Sequence, residues 1–323
     1  MSTYENTRVL VIGGLGFIGV NLARSRALDA AQVTVVTPAR VRHSERAQLL
    51  EQAGVRIIEG DVRDLRLITH AVSDQDVVFN LAGQSGAVRS MEDPWTDLDV
   101  NCRGTLVLLE AMREVNPAAK VVVVGSRLQY GRPLRLPVSE EDAADATCVH
   151  AIHKSTAEGY LRLYNRLFGL RFAVARVTNP YGPGQPPGRT AYGVINRLVQ
   201  LALANEALPI YGDGRQQRDY VHVDDVVGAL LLLGASDVSD GRVYNVGSGQ
   251  GTAMIDVAHL IVSIAGGGQV RHVEWPPLAQ QIETGDFIAD VSRIRRELGW
   301  CPTIPLRDGI ERTVASYRAL AIS

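Results

Sequence analysis

The chain has 323 residues, 46% of them hydrophobic, and its 33 lysines and arginines against 35 aspartates and glutamates leave a formal net charge of −2. That length suits two domains, or one large domain with a lobe, and the near-neutral balance gives no electrostatic case for a nucleic acid or an anionic membrane as partner. The three cysteines, Cys102, Cys148 and Cys301, lie far apart without metal-ligand spacing, as in a reducing cytoplasm; no apolar run reaches the ~18 residues of a membrane span, and the polar start "MSTYENTR" predicts no signal peptide.

In chain order, "RVLVIGG" (Arg8–Gly14) is a β-branched run that ends in glycines, and "FIGVNLARSRAL" after it has helical spacing. Further strands are expected at Gln32–Thr37, Val55–Asp61, Asp76–Gly83, Lys120–Ser126 and Arg171–Asn179, with helices between them, notably Thr96–Val115 and His150–Phe168. The strands are apolar on both faces, as buried parallel strands are. Alternation with helices predicts an α/β fold with a doubly wound parallel Rossmann sheet. After Tyr181 the run "YGPGQPPGRTAYG" must be a loop. Shorter strands and helices follow, through a final pair around Val291–Leu298 and Leu306–Leu320. The expectation is a dinucleotide-binding domain over 1–180 and a smaller C-terminal α/β substrate lobe over 181–323, some of whose segments return to the sheet. Ligands in such folds bind at the carboxyl ends of the strands.

"GGLGFIG" places Gly13, Gly16 and Gly19 between a strand and a helix. That context suits a dinucleotide pyrophosphate, because glycines admit close backbone approach and the helix start presents free N–H groups. The plain alternative is a tight turn with no ligand. A carboxylate is expected at the end of the second strand to bond a ribose hydroxyl, but Thr37 stands there. Arg40 or Arg42 could accept a 2′-phosphate instead, so the cofactor is read as NAD with NADP as the alternative. Asp61 in "GDVRD" could bond the adenine edge.

The motifs "GGLGFIG", "GDVRD", "NLAGQS", "DVNCRGTLVLLEA", "GSRLQYG", "HKSTAE", "RVTNPYGPGQ", "RDYVHVDDV", "YNVGSG" and "RRELGWCPTIPLRDGI" span nearly the whole chain. In this order they resemble the extended short-chain dehydrogenase/reductase family, specifically its nucleotide-sugar epimerases and dehydratases. The resemblance implies NAD(P) dependence and a nucleoside diphosphate sugar as substrate. It implies cofactor contacts from Gly13, Gly16, Phe17, Ile18 and Gly19 in the first loop, and from Asp61 and Val62 in the third. Leu81, Ala82, Gly83, Lys154 and Thr178 complete the implied cofactor set. Ser126, Asn179 and Arg218 are implied substrate contacts, and Asn101 is implied to hold main chain near the active site. Family members dimerise through the helices that here are Thr96–Val115 and His150–Phe168, so a homodimer is expected.

In that family a Ser or Thr, a Tyr and a Lys carry the proton chemistry. Ser126, four residues before Tyr130, and Lys154, four before Glu158, occupy two of those places; the tyrosine's place holds His150. A neutral imidazole, with an unperturbed pKa of about 6.5, can act as base without the lowering a phenol needs. Lys154 is expected to bond the nicotinamide ribose and to keep His150 neutral by charge repulsion. His153 lies on the same helix face; with no cysteine or carboxylate seen beside the pair, no metal is expected. The alternatives are a protein that binds cofactor without turnover or with an altered role, and His153 as the functional base.

The residues after Ser126 are Arg127, Leu128 and Gln129. The resemblance places acids there in dehydratases and decarboxylases, so their lack argues against both reactions. The leading expectation is an epimerase acting at C4 through a transient 4-keto sugar, with Ser126, His150 and Lys154 as catalytic residues and no metal. A 4-ketoreductase or dehydrogenase would need the same groups. Arg127 is read as a solvated loop arginine or a contact to a substrate carboxylate or phosphate, Asp224 and Asp225 as a helix cap, and Trp300 as core.

Overall fold

Alternate side chains of the first strand enter different cores: Val9 and Val11 pack on one side of the sheet, Leu10 and Ile12 on the other. Full burial of such a side chain contributes about 1.5–3 kcal/mol, so two apolar faces per strand favour a sheet covered on both sides. In the computed structural model, which describes residues 4–38, 44–84, 86–142, 145–185 and 193–322, this sheet is built from β1 (Arg8–Ile12), β2 (Gln32–Thr37), β3 (Arg56–Glu59), β4 (Val77–Asn80), β5 (Lys120–Ser126), β6 (Arg171–Val177) and a late arrival, β10 (Arg242–Val246). The strands are all parallel in the order β3-β2-β1-β4-β5-β6-β10. The order reverses between β1 and β4, which opens a crevice at their carboxyl ends.

The remaining chain makes a second layer of structure beyond β6. β7 (Asn179–Tyr181), β9 (Gln217–His222) and β11 (Gly251–Ala253) form one small sheet; β8 (Ala207–Tyr211) and β12 (Gln269–Val273) form a parallel pair. The helices Val194–Leu203, Met254–Ala265 and Leu306–Ile322 close a separate core around Leu198, Val199, Ile261 and Val314. The chain is not divided at one point, however. β10 pairs with β6, and the Val223–Ala235 helix sends Val226, Leu230 and Leu233 into the core beneath the large sheet.

Two local expectations need correction. The helix expected over Thr96–Val115 is an α-helical turn at Pro94–Asp97, a π-helical stretch at Leu98–Arg103 and an α-helix at Gly104–Val115. Asp224 and Asp225 do not cap their helix: His222 accepts the Asp224 N–H at 3.2 Å, and Asp225 instead accepts from the Thr303 N–H and hydroxyl and the Ile304 N–H, tying down the segment before the last helix. Trp300 is buried and donates to the Asp225 carbonyl at 3.1 Å, in keeping with a core role.

Candidate active site

The Val149–Phe168 helix begins directly after buried Cys148 and ends at Gly169 in the left-handed region, φ 70°. Its inner face buries His150, Ala151, Ala157, Glu158 and Leu161. That face lies against the Pro94–Arg103 turn and β5, so the first two turns of the helix are held over the crevice. His150 is 3% exposed, and its Nδ1 lies 3.2 Å from Asp97 Oδ2. His153 Nδ1 lies 2.7 Å from the other oxygen of the same carboxylate. Asn101 also donates to Asp97, at 2.9 Å, and to the Gln84 carbonyl at 3.1 Å. The second bond is the main-chain support expected of Asn101.

A carboxylate does therefore stand beside the two histidines. It comes from another helix, 53 residues earlier than His150, which spacing along one helix cannot reveal. Among the described residues no group of three or more metal-ligating side chains is arranged to hold a metal. Asp97 is 0% exposed. Burial alone would push it up, but the hydrogen bonds from His150 and His153 outweigh that and hold it below the usual carboxylate range. An ionised Asp97 can only accept, so both Nδ1 atoms carry their protons. The Nε2 of His150 is then the unprotonated, basic nitrogen. Burial pulls the His150 imidazole below its ordinary value; Asp97 opposes this and the charge of Lys154 assists. Burial, more than the repulsion expected from Lys154, is what keeps His150 neutral.

One turn on, Lys154 Nζ donates to the Val124 carbonyl at 2.9 Å, two residues short of Ser126 at the end of β5. Burial drags its pKa down to about 8. Ser126 Oγ accepts the Leu128 N–H at 3.2 Å, and the Ser126 N–H donates to Gln129 Oε1 at 2.8 Å. This turn is pinned from below: Gln129 donates to Glu158 at 3.1 Å, and Glu158 pairs with Arg176 at 2.8 Å.

The expected cofactor residues gather at the carboxyl ends of β1, β3, β4 and β6. Gly13 has φ +82°, and a Cβ there would lie 2.8 Å from the Ala82 nitrogen and 2.9 Å from the Leu81 carbonyl carbon. A Cβ on Gly19 would meet the Gly13 oxygen at 2.4 Å, and Gly16 precedes the Phe17–Ala23 helix without a side-chain cap. Phe17 and Ile18 open that helix. Val62 packs on Gly104, where a Cβ would come within 2.7 Å. Gly83 faces Asn101 Oδ1 and Lys154 Nζ, at 2.8 and 3.4 Å from its would-be Cβ; that Asn101 oxygen is buried without a partner. A glycine cradle and an orphaned acceptor beside a lysine fit a dinucleotide. Asp61 chelates the Arg63 guanidinium at 2.8 and 2.7 Å, and Thr37 is buried at the end of β2. Arg40 and Arg42 fall outside the described residues.

Across the crevice, Thr178 donates to Asp219 at 3.4 Å, and Asn179 on β7 donates to the Asp219 carbonyl at 2.8 Å. Arg218 on β9 donates to the Gln217 carbonyl at 2.9 Å and to the Gly285 carbonyl, and its charge is met by Glu283. Arg127 is not a solvated arginine. It is half-buried, with Nε donating to Asn179 at 3.1 Å, Nη1 to Thr284 at 2.9 Å, and its plane over Phe287 at 5.5 Å. Asp97 is the site residue that sequence reasoning missed. Its one visible signal was an acid four residues before Asn101 on the same helical face.

Comparison with known proteins places the chain among nucleotide-sugar enzymes by sequence and fold. The chain is 32% identical over 313 residues to the UDP-glucose 4-epimerase of Mycolicibacterium smegmatis, covering 96% of this chain and 98% of that one. It is 29% identical over 327 residues to a dTDP-glucose 4,6-dehydratase of Streptomyces niveus, covering 96% and 93%. The solved UDP-glucose 4-epimerase of Thermus thermophilus, in complex with NAD, superposes with a TM-score of 0.85 at 28% identity, covering 96% and 99%. Residues 9–247 match the model of the NAD dependent epimerase/dehydratase family. With that match over most of its length and a parallel sheet whose strand order reverses beside the glycine loop, the chain belongs to the NAD dependent epimerase/dehydratase family.

Proposed function

We propose that this enzyme epimerises a nucleoside diphosphate sugar at C4 through a transient 4-keto sugar, with His150 as its acid and base. The observation that carries this reading is the hydrogen bond of His150 Nδ1 to buried Asp97, 3.2 Å long, which leaves Nε2 as a neutral base at the head of the Lys154 helix. NAD, when bound, supplies a reversible hydride acceptor for the sugar carbon. His150 Nε2 takes the proton from the O4 hydroxyl, directly or through one water, and returns it when the carbonyl is reduced from its other face. Ser126 donates to the reacting oxygen and orients it. Lys154, already poised at the Val124 carbonyl, anchors the nicotinamide ribose, while Gly13, Gly16 and Gly19 admit the pyrophosphate to the backbone. Arg218 and Asn179 receive the substrate at the opposite wall.

Two features favour epimerisation over dehydration. Positions 127–129 hold Arg127, Leu128 and Gln129, so no second acid adjoins Ser126 to expel water. Of the two relatives compared above, the UDP-glucose 4-epimerase is the more similar, at 32% identity against 29% for the dTDP-glucose 4,6-dehydratase. The functional unit in this reading is a homodimer joined through the Pro94–Val115 and Val149–Phe168 segments. These leave Trp95 77%, Ile152 52% and Leu167 59% exposed, an apolar face suited to pairing helix against helix.

The test is turnover of UDP-glucose labelled with deuterium at C4 by enzyme carrying its bound NAD. Epimerisation gives the C4 epimer with the label kept at C4 and no net reduced cofactor. Stoichiometric release of reduced NAD would show a dehydrogenase instead. Cofactor binding without any product from UDP-glucose or from UDP-glucuronate would show a protein that has lost turnover.

A further inference from the structure

Arg127 carries a charge that neither the fold nor the proposed proton chemistry uses. Its place is fixed, since the turn that begins with it is held by Ser126, Gln129 and Glu158. Its two hydrogen-bond partners, Asn179 and Thr284, are both neutral, and so is the Phe287 ring beneath it. Nη2 bonds to none of the described residues, and among them Arg127 has no ion pair.

The acids nearby are already committed. Glu283 is paired with Arg218 and accepts the Gly285 N–H at 3.0 Å. Asp219 is fully buried, and its oxygens accept from the N–H groups of Ser248, Gly249 and Ala289 and from the Ser248 hydroxyl. Two guanidiniums thus face one available carboxylate. Burial, and then the Arg218 charge, pull Arg127 down to about 10, the mark of a cation short of a counter-ion. An enclosed guanidinium without an anion is costly, and the cost is recovered if a ligand brings one.

The location says which part of a ligand that is. Arg127 directly follows Ser126, where the reacting oxygen is proposed to bind, and its guanidinium reaches toward Asn179 and Thr284 in the direction of Arg218. A sugar with its O4 at Ser126 and its diphosphate toward Arg218 lays its ring over Arg127. From this we infer that the substrate is a nucleoside diphosphate hexuronate, and that Arg127 receives the ring carboxylate through its uncommitted N–H groups. A planar fork of donors suits a carboxylate better than any neutral hydroxymethyl group. This inference rests on the proposed C4 reading of the same site. A diphosphate oxygen offers similar chemistry, so the experiment separates the two sources.

NAD-loaded enzyme is titrated calorimetrically with UDP-glucuronate, UDP-glucose and UDP alone. Wild type is expected to bind the glucuronate at least about 30-fold more tightly than the glucose form. Arg127→Gln, which keeps amide donors but no charge, is expected to bring that ratio close to one. Arg127→Lys is expected to retain part of the preference, and a melting curve checks that each variant folds. Equal affinity of wild type for the two sugars overturns the inference, and does so even if the variants fail to fold. So does a loss on UDP alone as large as the loss on UDP-glucuronate, since Arg127 would then serve the diphosphate. Epimerisation of UDP-glucose with no preference for a carboxylate would sink this inference and leave the C4 reading standing. A carboxylate preference without any turnover would do the reverse.

Discussion

The Nδ1 atom of His150 points at Asp97, a carboxylate with no solvent exposure that also accepts from His153 and Asn101. Where a base must present one particular nitrogen, such a partner fixes the tautomer. In the proposed C4 reaction Asp97 is thus a positioning residue, acting through His150. Asp97→Asn can turn its amide N–H₂ toward Nδ1 and leave the proton on Nε2, the wrong nitrogen. The expected result is a fall in kcat of about 10²–10⁴-fold with a smaller change in KM. A KM defect with kcat intact would show that Asp97 merely packs there; steady-state kinetics on protein of verified fold decide it.

The pH profile follows from the same groups. His150 sits below its ordinary 6.5 and Lys154 at about 8. The base must be unprotonated, so kcat/KM of the free enzyme falls only as pH drops below about 6.5. The lysine must be charged, so activity also falls as pH rises through about 8. Lys154→Arg is expected to remove the alkaline limb while leaving the acid limb in place, since a guanidinium stays charged. Stability obeys the sign of the His150 shift. Its folded value lies below its unfolded one, so its contribution is present above 6.5 and is lost as pH falls from there through the folded value.

Much of the fold is legible in the sequence. The strands at Gln32–Thr37 and Lys120–Ser126 have the bounds read from the sequence, because runs such as "KVVVV" are apolar on both faces and leave helix little claim. Ser126, His150 and Lys154 are candidates through the resemblance to a family motif, and the structure sets Lys154 Nζ on the Val124 carbonyl, two residues before Ser126. Asp97 is not legible in the sequence, because its meaning depends on a helix 53 residues later. Arg127 looked like loop because its partners, Asn179 and Thr284, come from 52 and 157 residues away. β10 looked like part of the lobe because nothing in "RVYNV" says which strand edge it will find.

Glu158 supports the site from behind. Its Oε1 accepts from Arg176 and Arg162 and its Oε2 from Arg176 and Gln129, and Gln129 in turn holds the Ser126 N–H. Glu158→Gln leaves Arg176, which is buried and stacked 4.7 Å over Tyr130, without a counter-charge. Breaking one side of a buried pair typically costs about 3–5 kcal/mol. Denaturant unfolding is expected to register a loss of that order, and a variant as stable as wild type would mean that water reaches the pair.

The glycine cradle gives a steric prediction. A Cβ on Gly19 would lie 2.4 Å from the Gly13 oxygen and 2.7 Å from the Gly14 Cα, both backbone atoms that cannot swing aside. Gly19→Ala is therefore expected to push the Phe17–Ala23 helix off the loop and weaken NAD binding by at least about tenfold. Gly266→Ala, at a left-handed position with open space around it and remote from the loop, is the control: it strains the backbone but should leave NAD affinity unchanged. Titration of both variants with NAD separates a local effect on the cradle from general destabilisation.

Placing at position 150 the tyrosine that the resemblance implies there is expected to fail on its own. A phenol in the place of His150 would keep its ring beside ionised Asp97 in a buried site, and that like charge disfavours the phenolate that the proposed reaction needs. His150→Tyr should therefore lose about 10²-fold or more of kcat at neutral pH, and recover part of it as the pH is raised. Removing the carboxylate as well should help: Asp97→Asn harms the enzyme that has His150 but improves the one with tyrosine there. That reversal of sign is a coupling between the two positions, readable in a double-mutant cycle on kcat. If Asp97→Asn lowers kcat equally in both backgrounds, the carboxylate does not act through the group at 150, and the base must be sought elsewhere.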